Sequence, residues 1–152
     1  MGWVRGEVIR ITVPGVPRAL ERNRHRIVTT RDKRQFVANY LPSQSAKEQS
    51  TIRWYASQAM NGRSAIECPL ELRFAAYLPI PASWSKKKQT AALADELRPG
   101  NKPDLSNLVK NCEDAMNMIC YRDDSLITDC ALFKRYSSSP RIVIELRPLT
   151  WV

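Results

Sequence analysis

No apolar run in this 152-residue sequence approaches the roughly 20 residues that a membrane-crossing helix needs. The opening segment MGWVRGEVIR lacks the uninterrupted apolar stretch of a secretory signal, so a cytoplasmic protein without a membrane partner is expected. Histidine is nearly absent, His25 standing alone, and the four cysteines (Cys68, Cys112, Cys120, Cys130) form no C-x-x-C pair. That scarcity excludes a zinc site and points to free, buried thiols in a reducing compartment. Negative charge is also in short supply, with 15 Asp and Glu against 24 Lys and Arg, a formal net charge of +9. The 43% hydrophobic and 26% charged content is that of a folded chain, which excludes collagen-like, low-complexity and disordered classes. At this length a single domain over residues 1–152 is expected.

What is present in excess sits in one region. Residues 1–60 hold 11 Lys and Arg against 4 Asp and Glu, a net of +7, so the remainder is close to balanced. Arg18, Arg22, Arg24, Arg26, Arg31, Lys33 and Arg34 fall on a stretch with little apolar periodicity, read as a basic loop over 18–34. Guanidinium forks pair bidentately with phosphate oxygens, and counterion release makes such binding strong and salt-dependent. The plainer reading is a solvated charge run. Against it stands the placement of acid: six of the eleven carboxylates after residue 60 (Asp104, Glu113, Asp114, Asp123, Asp124, Asp129) fall within 26 consecutive residues. Clustered carboxylates weaken polyanion binding, so they need another task.

The patterning is that of an α+β protein, a small mixed sheet with helices packed on it in the order β-α-β-(α)-α-β-β. EVIRITV (7–13) alternates as a half-buried strand. Ser45 and Glu48 read as a capping box that opens a helix running to Met60, with Asn61-Gly62 as its stop. Leu70, Leu72, Phe74 and Ala76 give a second strand, and residues 83–97 a short helix with Lys86, Lys87 and Lys88 in its first turn. From Leu105 the apolar positions 105, 108, 109, 112, 115, 116 and 119 follow helical spacing. Strands at about 126–136 and 141–147, joined by Ser137–Pro140, are expected to form a hairpin.

The segment 102–129 reads KPDLSNLVKNCEDAMNMICYRDDSLITD. It places hard oxygen donors and one cation, Lys110, near the ends of elements, where side chains can converge on magnesium and a phosphate. Each residue has a plainer use: Asp104 or Ser106 as a helix N-cap, Lys110 with Asp114 as an ordinary i,i+4 pair, Asp123-Asp124 as a polar turn. Their ordered combination is what those uses leave unexplained. Lys102-Pro103-Asp104-Leu105-Ser106-Asn107-Leu108-Val109-Lys110, then Asp114-Ala115-Met116-Asn117, then Asp123-Asp124-Ser125, resembles the signature of the RusA family of Holliday junction resolvases: K-P-D-x-D-N-x-x-K, D-A-L-N-G and D-D-S-Q-I. Ser83 to Lys88 is also similar to the stretch before the motif in phage and prophage members.

The resemblance implies a homodimeric, Mg²⁺-dependent endonuclease (Mn²⁺ as a possible substitute) that resolves four-way or branched DNA by paired nicks and needs no small-molecule cofactor. It implies Asp104 and Asp124 as metal-binding catalytic carboxylates, Lys110 as the catalytic lysine, and Asp123 as a possible further ligand. Arg18, Arg22, Arg24, Arg26, Lys86, Lys87, Lys88 and Lys102 are the expected DNA contacts. One departure stands out: Ser106 occupies the position of a usual Asp ligand. A variant site that keeps its activity, an inactivated junction binder on the same scaffold, and compensation by Asp123 or Asp114 are all compatible with that change.

Overall fold

A computed structural model describes residues 1–19, 24–40 and 42–152. The chain order is β1 (Trp3–Arg5), β2 (Ile9–Pro14), β3 (Arg24–Thr29), β4 (Gln35–Tyr40), α1 (Ser43–Met60), β5 (Leu70–Leu78), α2 (Lys86–Leu93), α3 (Leu105–Met116), a 3₁₀ turn (Asp124–Leu126), β6 (Ile127–Tyr136) and β7 (Arg141–Trp151). This is the expected α+β class, with helices packed on a mixed sheet.

Strict alternation decides which face of the sheet is covered. Ile9, Ile11 and Val13 of β2, Leu70, Leu72, Phe74 and Ala76 of β5, and Ile142, Ile144 and Leu146 of β7 all point to one side and are buried. On them lie Ile52, Ala56 and Met60 of α1 and Leu108, Val109, Cys112, Ala115 and Met116 of α3. Burying each large aliphatic or Phe side chain contributes about 1.5–3 kcal/mol, so this two-layer core dominates stability. Neither α1 nor α3 reaches the opposite face of the sheet.

Strand order differs from the expected closing hairpin. β5 lies between β6 and β7, parallel to β6 and antiparallel to β7, and β7 pairs along its length with both β2 and β1. The Ser137–Pro140 connection therefore passes over the end of β5, where the Ser137 N–H donates to the Leu78 carbonyl at 2.9 Å. β5, buried along its whole inward face, takes the central position that its continuous apolar alternation demands.

Two further expectations are corrected. Much of the basic loop is ordered as an antiparallel hairpin of β3 and β4, closed by Thr30–Arg34 and exposed on both faces. Exposure on both sides leaves no burial alternation to read. The capping box is not formed: α1 starts at Ser43 with Pro42 in the N-cap position, and Ser45 is buried inside the first turn. Of the thiols, Cys112 and Cys120 are buried, Cys68 is half-buried, and Cys130 is exposed because it lies on the edge strand β6.

Candidate active site

The site forms where α3 turns back into β6. The Cys120 N–H donates to the Met116 carbonyl at 3.0 Å and the Met118 N–H to the Tyr121 carbonyl at 2.8 Å, reversing the chain within five residues. Tyr121, fully buried, donates its hydroxyl to the Glu113 carbonyl at 2.8 Å, and the Arg122 N–H donates to the Ile66 carbonyl at 3.0 Å. This reversal lays Asp124 beside the middle of α3. Lys110 Nζ then stands 3.0 Å from the Asp114 carboxylate and 3.6 Å from that of Asp124.

The electrostatics follow from this crowding. The hydrogen bond to Asp114 and the Asp114 charge hold the Lys110 ammonium above its ordinary value; burial opposes them, and the more distant charges of Asp124 and Glu113 add to the rise. Lys110 is therefore a fixed cation and not a base at neutral pH. Glu113, half-buried behind the pair, has its carboxyl pushed up mainly by desolvation and also by Asp124 and Asp114, while Lys110 pulls it down. Burial also pushes the Tyr121 hydroxyl far above the usual phenol range.

Asp104 occupies the N-cap position of α3 but its side chain makes no capping bond. Its carboxylate instead lies 3.2 Å from Lys102 Nζ and is half-exposed. The loop before it is pinned from β6: Lys134 Nζ donates to the Asn101 carbonyl at 2.7 Å and the Pro103 carbonyl at 3.0 Å. Ser106, Lys110 and Asp114 recur every four residues and share one stripe of α3. Ser106, exposed, is thus one turn before Lys110, and Asp104 is about 9 Å before it along the axis.

The other expected residues are placed as follows. Asp123 is exposed and accepts from the Ser125 N–H at 3.3 Å and from its hydroxyl, which caps the 3₁₀ turn and holds its carboxyl below the usual range. Arg24 and Arg26 lie on β3, with Arg26 over the Tyr40 ring at 5.7 Å. Arg18 is 3.6 Å from Glu48. Lys86, Lys87 and Lys88 open α2, Lys88 resting 4.0 Å above the Trp84 ring. Arg22 lies outside the described residues.

Among the described residues no group of three or more His, Cys, Asp or Glu is arranged to hold a metal ion. The donor chemistry nevertheless suits a hard divalent cation. Mg²⁺ needs only one or two protein carboxylates and completes its shell with water and phosphate oxygens, a minimum that the Asp124 carboxylate beside Lys110, or that of Asp104 at the start of α3, meets in donor type.

Three residues of this region have no role that the sequence alone assigns: Glu113, Tyr121 and Lys134. Glu113 is visible there only as a member of the acidic cluster. Lys134 is marked by interrupting the apolar run Ala131-Leu132-Phe133 on its strand.

Comparison with known proteins bears directly on this site. The model of the endodeoxyribonuclease RusA family matches residues 14–147. The chain belongs to the RusA family. The matched span contains the whole of the 102–129 segment and every element from β5 to β6. An uncharacterized protein of Bacillus subtilis (strain 168), YqaN, is 34% identical over 146 residues, covering 95% of this chain and 99% of its own length. RusA proteins are endodeoxyribonucleases that act on Holliday junctions and bind branched DNA, and a nuclease of this type depends in general on a divalent metal. No helix among the described residues is long and apolar enough to cross a membrane.

Proposed function

We propose that this protein is a cytoplasmic, homodimeric resolvase that cuts four-way DNA junctions by paired nicks with Mg²⁺, retaining activity despite Ser106. The observation that carries the reading is the convergence of Lys110 with Asp114 and Asp124 at the reversal between α3 and β6, with the Asp104 carboxylate left free of capping duty. Asp104 and Asp124 would hold the ion, whose chemistry is activation of water and stabilisation of charge on the phosphate. Lys110, kept protonated, offsets the charge that builds on the phosphate oxygens or delivers a proton from Nζ to the leaving oxygen. Lys134 fixes the backbone that carries Asp104. A dimer presents two equivalent sites to a two-fold junction.

The cationic residues support a nucleic-acid substrate. Three lysines at the positive end of α2 are unfavourable among themselves and against the helix dipole, an arrangement that an anion relieves. The β3–β4 hairpin and Lys102 supply further phosphate contacts, which position a duplex without reading its sequence.

Ser106 favours a second reading, a catalytically impaired junction binder, because a neutral hydroxyl replaces one ligand charge. A nicking assay on a synthetic junction separates the two. Product from the natural sequence in Mg²⁺ supports the resolvase, and product from Ser106→Asp alone supports the binder.

A further inference from the structure

The sheet face turned away from α1 and α3 has a composition that its structural role does not require. It forms a shallow basin of about 390 Å³ in which Arg10, Arg73, Arg135 and Arg141 surround a floor of Ala75, Tyr77, Phe133 and Val143, with Glu145 the one acid. Arg10 is matched by Glu145 at 2.8 Å, and Arg135 by Asp95 at 3.2 Å. Arg73 and Arg141 have no carboxylate partner among the described residues. Each is held by an aromatic ring instead: Arg73 lies 4.4 Å over Phe133 and Arg141 4.0 Å over Tyr77. Arg141 also donates to the Ser139 carbonyl at 2.9 Å, which fixes its fork further.

A guanidinium stacked on a ring loses rotamer freedom but keeps in-plane donors that suit phosphate oxygens. Arg141 faces Tyr77 across β5 and β7, four residues from Arg73. At 3.3 Å per residue that is about 13 Å, comparable to the ~12 Å width of a duplex major groove. We infer that this open sheet face is a second nucleic-acid surface, with Arg73 and Arg141 gripping the phosphate backbone of a duplex arm away from the scissile site. The inference rests on the reading of the protein as a junction enzyme, and extends it to where another arm lies. Charge argues against a second copy as the occupant. An isologous contact would bring a basin of net +3 against another of net +3.

The test is an Arg73→Gln/Arg141→Gln variant, measured for affinity to a synthetic four-way junction and to a linear duplex over a salt titration. The plot of log affinity against log salt should become shallower by about 2 for the junction, one unit for each phosphate no longer neutralised, and change less for the linear duplex. An Arg73→Lys/Arg141→Lys variant keeps the charges and should keep most of the slope. If the natural protein binds the junction and the Gln variant binds it with unchanged affinity and slope, the inference is overturned while the junction reading stands. If the Lys variant loses as much as the Gln variant, the effect is structural and the inference also falls. A change from dimer to monomer in sedimentation of the Gln variant would make the face an interface between copies, again against it. No junction binding by the natural protein would remove the underlying reading itself.

Discussion

Replacing Lys110 by Ala separates a structural from a chemical role, because the two predict effects of very different size. Structurally, Lys110 is about half exposed and makes an i,i+4 pair with Asp114 at 3.0 Å and a longer contact with Asp124 at 3.6 Å. Exposed helix pairs of this kind contribute about 0.3–0.5 kcal/mol each. Removing them, with three carboxylates left facing each other, should cost roughly 0.5–1 kcal/mol, which lowers Tm by about 1–4 °C for a chain of this size. Chemically, losing one preorganised group that stabilises charge in a transition state costs on the order of 10²–10³ in rate, about 3–4 kcal/mol. Single-turnover nicking of a four-way junction at saturating protein, beside a thermal melt, reads both. A small drop in Tm with a rate loss of about a hundredfold or more is expected. A rate that merely tracks the folded fraction, or one that hardly changes, would refute the assignment.

Other consequences can be checked with less effort. Tyr121→Phe removes a fully buried hydroxyl donor and leaves the Glu113 carbonyl without it, so urea denaturation should show a loss of about 1 kcal/mol with an unchanged m-value. Burial pushes the Cys112 and Cys120 thiols up to about 12, so at pH 8 a native alkylation time course should label Cys130 and Cys68 and reach Cys112 and Cys120 only on unfolding. Equal labelling of all four would contradict the core packing described above. The β3–β4 hairpin packs chiefly on itself, so Arg24→Ala/Arg26→Ala should lower Tm by no more than a few degrees and make the salt dependence of junction binding shallower by about 2. An unchanged slope would remove the hairpin from the DNA interface.

The elements legible in the sequence are those whose burial is one-sided. β2 and β5 alternate strictly and α3 has a narrow apolar stripe, so the spacing of their residues alone points to a core. β3 and β4 offer no such pattern because both of their faces meet solvent. The sequence-adjacent strands β6 and β7 suggest a hairpin, yet the pairing is decided by burial: β5 is apolar enough to need a neighbour on each side and separates them. Ser45 and Glu48 match a cap in spacing alone, and the burial of Ser45 takes it into the helix.

At the candidate site, residue types and order are legible and proximity is not. The pairing of Lys110 with Asp124 depends on the tight reversal at 117–121, whose backbone bonds no periodicity encodes. Lys134 pins the Asp104 loop from 31 residues away and is hidden in the sequence for the same reason.

The measurement nearest to the central claim is cleavage of a synthetic four-way junction by the natural sequence in Mg²⁺, run beside Ser106→Asp. Paired nicks by the natural protein, lost on chelation, are predicted, with faster nicking by Ser106→Asp because the added carboxylate stands on the same helix stripe as Lys110. No product from the natural protein, with product from Ser106→Asp, would contradict the claim.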